Sequence, residues 1–226
     1  MADLQGGIVV FIHGVLMSGR IMSRLQARIE HAGWQTAVFD YPSRSQTVAE
    51  NAAALADFLK QFDGQPIYLV AHSSGGRVCL RCLQDHPELK VRRFVAIGTP
   101  FFASAVAQTL SRYRLGRWLL GQSIGEGGLT TDCADWQGET GIGVIAGSNR
   151  IGVSNCTDRF SRPLARPHDG TVTVASTRLP GISDHTTEHH SHTLLLYSEY
   201  VAIQVIHFID FGFFKHDECL SALNSP

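Results

Sequence analysis

The sequence predicts an α/β fold of about six mostly parallel strands with helices on both faces, and three observations carry that expectation. Short apolar runs alternate with longer amphipathic segments along most of the chain, the pattern of strands buried between helical layers. The amphipathic segments repeat their apolar residues at helical spacing. Turn and capping residues fall between the two kinds of segment rather than inside them.

The strands expected are Ile8 to Ile12, Thr36 to Phe39, Ile67 to Val70, Phe94 to Ile97, Gly143 to Ala146 and roughly Thr186 to His190. Between the first two, Ile21, Leu25, Ile29 and Ala32 form a helical stripe that Gly33 is placed to end. A second stripe comprises Val48, Ala52, Leu55, Leu59 and Phe62, and Thr47 with Glu50 has the spacing of a capping box at its start. A third helix carries Val78, Leu80 and Leu83 and must stop near Pro87. The segment from His192 to Phe211, ahead of Gly212, reads as the last helix. Residues 101–142 are harder to order: a helix-like stretch from Ala103 to Leu110, a basic and aromatic stretch from Arg112 to Leu120, and a glycine-rich tract.

With 226 residues, the chain is long enough for one well-packed core and short for two, so a single domain over 1–226 is expected. Its formal net charge is -1, with 17% charged residues, which gives no reason to expect nucleic acid as a partner. Met1-Ala2-Asp3-Leu4 lacks the features of a secretory signal, so a cytoplasmic location is the expectation. The 5 cysteines are scattered and default to reduced thiols, although a removed presequence would allow Cys133 and Cys156 to pair.

The chemistry concentrates at Val70-Ala71-His72-Ser73-Ser74-Gly75-Gly76, where a buried strand meets a helix. Such a sharp turn needs small residues around an exposed serine, in the order small-x-Ser-x-Gly. Ser73 alone has small residues two places away on both sides, which selects it over Ser74 as a nucleophile; the competing reading is a serine that merely caps a helix. After the first strand, His13-Gly14-Val15-Leu16 offers a second element. Serine acylation creates a tetrahedral oxyanion that needs two preorganised N–H donors. Ser74 N–H is the natural first donor, and Val15 N–H, ahead of Leu16, the second.

Together with Gly98-Thr99-Pro100, Asp169-Gly170-Thr171-Val172 and a late histidine, these residues make the chain similar to the bacterial lipase and esterase branch of the α/β-hydrolase superfamily, in a minimal form without a large cap domain. The resemblance runs in chain order over nearly the whole molecule. It implies an α/β-hydrolase fold, a serine hydrolase acting on small-molecule or lipid acyl esters, a Ser, Asp, His triad in that order, and no cofactor or metal. Asp169 is the acid favoured over Asp158 and Asp184, because it matches the family's Asp-Gly-x-Val element and precedes the late histidines. A loop Asp fixed by Gly170 can accept the imidazole Nδ1–H; Asp-Gly is also an ordinary turn signal. The base must follow the last strand and precede the last helix. His192 fits that place. His185 would sit before the strand, and His189 and His190 within it or at its end.

Four histidines between positions 185 and 192 also raise metal binding, but His190 and His192 are a bare i, i+2 pair with no obvious third ligand. Cys79 and Cys82 spell C-x-x-C inside the third helix and read as core. His13 and His72 read as structural. The Arg112 to Leu120 stretch, within a lid-like insertion at 101–142, is either an amphipathic cover over the acyl pocket in transient contact with an interface, or a solvated helix. Thioesterase, amidase and acyltransferase activities share the same machinery, and a non-catalytic binding module on this scaffold is the reading from another class.

Overall fold

The computed structural model describes residues 6–124, 128–151 and 164–216. Six parallel strands stand in the order β2-β1-β3-β4-β5-β6. They are β1 (Ile8–Ile12), β2 (Gln35–Phe39), β3 (Ile67–His72), β4 (Val91–Ile97), β5 (Gly141–Gly147) and β6 (Asp184–Glu188). The helices are α1 (Ser23–His31), α2 (Val48–Leu59), α3 (Gly75–Asp85), α4 (Ala105–Ser111), α5 (Arg114–Leu120) and α6 (Glu199–Phe211).

The residues of β1 explain the two helical layers. Ile8, Val10 and Ile12 join the core beneath α2 and α3, whereas Val9 and Phe11 join the core beneath α1 and α6. Side chains alternate across a strand, so a strand buried on both faces must be apolar throughout. All five are buried. The same logic produces Ile-Tyr-Leu-Val-Ala at the start of β3.

Local signals set most helix ends. The Thr47 hydroxyl accepts the Glu50 N–H at 3.2 Å while the Glu50 carboxylate accepts the Thr47 N–H at 2.7 Å, which starts α2 with a reciprocal cap. Gly212, at φ 85°, ends α6 in the left-handed region that glycine adopts without strain. No helix among the described residues is long and apolar enough to cross a membrane.

Several expected boundaries differ: β3, β4 and β5 run longer than expected, β4 beginning at Val91 rather than Phe94, and three elements are rearranged. β6 lies two residues upstream of the expected Thr186 to His190, so His185 is inside the strand and His189 and His190 follow it. Pairing fixes this register: Gly143 stands opposite Asp184 and Gly147 opposite Glu188 on an outermost strand that has no apolar run to mark it. The expected helix from His192 is two elements, a 3-10 turn over Leu194–Tyr197 and then α6. Ser198 separates them, extended at ψ 130°, its hydroxyl accepting the Val201 N–H. Finally, α1 is preceded by a 3-10 turn, Gly19–Met22, that takes Ile21 out of the helix proper.

Candidate active site

The C-terminal ends of β1, β3 and β4 align, with Ile12 opposite Ala71 and Ala71 opposite Ala96, so the loops that leave these strands meet at one edge of the sheet. Ligand sites in parallel sheets form at that edge. Ser73 occupies the turn from β3 into α3 at φ 54°, a conformation unusual for a residue with a side chain. Its backbone is fixed on both sides: the N–H donates to Ile97 O at 2.9 Å, and Thr99 Oγ1 donates to Ser73 O at 2.9 Å.

Close packing explains the small residues of the turn. A Cβ on Gly75 would lie 2.3 Å from His13 O, and one on Gly76 would lie 2.1 Å from Thr99 Oγ1. The helix therefore abuts the loop after β1 and the start of the loop after β4. Ala71, where a glycine is usual, is fully buried in the core on the α2 and α3 side and its methyl is accommodated.

From this turn Ser73 Oγ donates to His192 Nε2 at 3.0 Å, and His192 Nδ1–H donates to Asp169 Oδ2 at 2.7 Å. Asp169 is 1% exposed, and its second oxygen accepts the N–H groups of Thr171 and Val172 at 2.9 and 2.7 Å. That satisfies a buried carboxylate and fixes which oxygen faces the imidazole. The His192 N–H also donates to Asp169 O at 3.0 Å, so main chain as well as side chain joins the two loops. Gly98, at φ 58°, passes beneath them: a Cβ there would lie 3.1 Å from His192 Nδ1 and 3.5 Å from Asp169 Oδ2. An arrangement of this kind can pass a serine proton to an imidazole whose tautomer a carboxylate holds.

The other residues considered from sequence disperse. Asp184 accepts the N–H groups of His185 and Phe214, and Asp158 lies outside the described residues. Burial, reinforced by Arg178, pushes His185 down to about 4, and its Nε2 meets Thr177 Oγ1 at 2.9 Å. His189 Nδ1 approaches Ser148 Oγ at 3.5 Å. Among the described residues no three His, Cys, Asp or Glu side chains converge as a metal site. Cys79 and Cys82 are buried in α3, and burial pushes the Cys82 thiol up to about 12; Cys133 is a free thiol, and Cys156 lies outside the described residues.

An apolar cavity of about 230 Å³ opens on Ser73 and His192. Leu16 lines it from the loop after β1, Val106, Ala107 and Leu110 from α4, Leu120 from α5, and Val172 from the Asp169 loop. Among the described residues its walls carry no Lys, Arg, Asp or Glu. The outer side of α5 differs. Leu115 and Trp118 are exposed there, with Arg44 stacked 4.7 Å above the Trp118 ring. Trp118 therefore does not line the cavity, and the side chain of Leu119 is outside the described ones.

Residues 7–126 match the family model described as the alpha/beta hydrolase fold, more than half of the chain. This protein belongs to that family. Solved structures agree on the fold. The mature form of lipase BlEst2 from Bacillus licheniformis is 20% identical with a TM-score of 0.70, covering 94% of each chain; the chain spans 51% of the propeptide form of the same lipase. Carboxylesterase CesB from Bacillus subtilis is 18% identical with a TM-score of 0.55, over 92% of this chain and 85% of that one. The type II thioesterase YbtT of a yersiniabactin pathway is 14% identical with a TM-score of 0.56, over 84% and 87%. No curated protein matches the chain.

In this α/β hydrolase several polar contacts around Ser73 had no signal in the sequence pattern. His13, fully buried, meets Gly14 O with Nδ1 and Asp40 Oδ1 with Nε2, both at 2.8 Å, and stacks on Tyr41. Val15 N–H, expected to face a reaction oxyanion, donates to Ser74 Oγ at 2.7 Å.

Proposed function

We propose that this protein is a serine hydrolase that cleaves carboxylic esters through an acyl intermediate on Ser73. The observation that carries the reading is the continuous hydrogen-bonded line from Ser73 through His192 to Asp169, at 3.0 and 2.7 Å, opening on an apolar cavity. In this scheme Ser73 Oγ bonds to the ester carbonyl carbon while its proton passes to His192 Nε2. Asp169 stabilises the imidazolium, and the N–H groups of Ser74 and Val15 face the carbonyl oxygen as it gains charge. The carbonyl carbon then parts from the alkoxy oxygen, which takes the proton from His192. A water molecule repeats the sequence on the acyl ester and frees Ser73.

The apolar lining, with Leu16, Val106, Leu110 and Leu120, favours an apolar acyl chain on a small-molecule or lipid ester. Residues 101–142 act as the cover of that cavity within a single domain, with α4 and Leu120 as its inner surface. The exposed Leu115 and Trp118, beside Arg112 and Arg114, suit brief contact with a lipid interface. Thioesters would react by the same steps.

Labelling with a fluorophosphonate probe, followed by peptide mass spectrometry, tests the nucleophile. The label is expected on Ser73, and Ser73→Ala is expected to abolish both labelling and hydrolysis of p-nitrophenyl esters. Labelling elsewhere, or hydrolysis that survives the substitution, would overturn the assignment; a folded chain that neither labels nor hydrolyses would favour a binding module.

A further inference from the structure

The amide expected to serve as second oxyanion donor is already in use. Val15 N–H points to Ser74 Oγ at 2.7 Å, and an amide carries one hydrogen, so it cannot serve that hydroxyl and a substrate oxyanion at full strength together. On the other flank of the same loop the Tyr41 hydroxyl donates to His13 O at 2.8 Å. The Ser74 and Tyr41 hydroxyls thus hold the loop at two points, one at the Val15 N–H and the other at the His13 carbonyl. Burial raises the Tyr41 pKa, so the phenol keeps its proton and remains a donor. The loop has little freedom elsewhere: a Cβ on Gly14 would lie 2.9 Å from Ser73 Cβ, and Leu16 sits at φ 62° in the left-handed region.

We infer that the Ser74 hydroxyl is a positioning group that occupies the second oxyanion donor in the resting protein and hands it over to the substrate during acylation. The inference rests on Ser73 as nucleophile. Ser74 would then act twice, its N–H toward the oxyanion and its Oγ against Val15 N–H. Satisfying that amide keeps a part-buried donor from being left bare when the site is empty. Its cost is a competitor that each turnover must displace.

Removing the competitor should therefore help the reaction. Ser74→Ala keeps the backbone N–H and is expected to raise kcat/KM for p-nitrophenyl butyrate, and tighten an alkyl trifluoromethyl ketone, by roughly 3- to 10-fold, the usual net effect of one hydrogen bond. Ser74→Thr retains the hydroxyl and should show none of this activation. Tyr41→Phe leaves the Val15 contact in place and should not activate. In parallel, the Val15 amide proton resonance should move upfield in Ser74→Ala and stay in Ser74→Thr, a readout that needs no turnover. A fall in kcat/KM for Ser74→Ala would overturn the inference, as would an unmoved Val15 resonance. If Ser73 is not the nucleophile, fluorophosphonate labelling fails in the parent, whereas the Val15 resonance still reports whether the contact exists.

Discussion

His72 donates from Nε2–H to the backbone carbonyl of His192 at 3.1 Å, with the two rings 4.7 Å apart. The residue before Ser73 therefore supports the loop of the histidine that faces Ser73. It can do so only as a neutral ring, because its Nδ1 is buried without a hydrogen-bond partner among the described residues. Burial first, and then the charge that His192 carries when protonated, push the His72 pKa from 6.5 down to about 3.

That depression makes stability depend on pH with a definite sign. Above pH 6.5 His72 is neutral in both folded and unfolded chains and contributes no slope. Between pH 6.5 and about 3 the unfolded chain binds a proton that the folded chain refuses, so stability falls as pH falls. The slope from this one group approaches about 1.4 kcal/mol per pH unit. His185 is depressed in the same direction and adds a smaller share, being partly exposed. Urea midpoints at pH 7.5, 6 and 5 should drop steeply in the parent protein and less in His72→Gln. Equal slopes would mean that His72 is protonated in the folded state.

Gly75 lies where helix and loop meet, and its absent side chain is what allows that approach. In Gly75→Ala the new methyl meets the His13 carbonyl and then the Ile12 carbonyl, 2.3 and 2.9 Å from an ideal Cβ. Neither is the flexible end of a side chain. Overpacking of this kind costs about 1–3 kcal/mol. Chemical denaturation should register that loss, together with slower fluorophosphonate labelling as Ser73 shifts from the loop after β1. Unchanged stability would show that α3 can move away freely.

Gly98→Ala tests the floor under His192 and Asp169. The residue combines φ 58° with a Cβ position 3.1 Å from His192 Nδ1, so an alanine is strained and pushes the imidazole. At 3.1 Å the imidazole must yield by a few tenths of an ångström, well short of the misplacement of about 1 Å that costs about 100-fold in rate. The expected result is a fall in kcat of less than about 100-fold, with KM little changed. A variant with parent kcat would mean that the His192 loop yields without consequence.

Much of this architecture was legible because apolar runs and helix stripes are local signals. β1 follows from five consecutive apolar residues, and α2 from its stripe and capping box. β6 was misplaced by two residues because Asp-His-Thr-Thr-Glu carries no apolar pattern and takes its register from β5 alone. The order of Ser73, Asp169 and His192 could be read from motifs in sequence. The contacts of Val15 with Ser74, His13 with Asp40 and His72 with His192 could not, since each joins residues far apart in the chain through a particular side-chain rotamer.

The cavity wall offers a prediction about substrate length. Leu110 and Leu120 line the cavity from α4 and α5, whereas Trp118 is exposed and packs on Arg44. Leu110→Trp should shift the preferred p-nitrophenyl ester toward shorter acyl chains, Leu120→Ala toward longer ones, and Trp118→Ala should leave the profile unchanged. Identical profiles in all three would place the acyl chain elsewhere.

The four late histidines give the sharpest test of the site. A general base must lie within hydrogen-bond reach of the proton it removes, and it needs its other ring nitrogen fixed so that the right tautomer faces the nucleophile. His192 meets both conditions, with Nε2 3.0 Å from Ser73 Oγ and Nδ1 2.7 Å from Asp169 Oδ2. His185 is engaged with Thr177 inside β6, and His189 with Ser148 on the surface. His190 is tied through its main chain, its N–H donating to Glu188 O and its carbonyl accepting the Asn149 N–H. With Ser73, His192 and Asp169 in the proposed triad, whose members act as a unit, His192→Ala should lower kcat by about three orders of magnitude or more while the unfolding transition stays near that of the parent. His189→Ala and His190→Ala should retain most activity. A dead His190 variant with an active His192 variant would mean that the loop after β6 rearranges when substrate binds, bringing a different imidazole to Ser73.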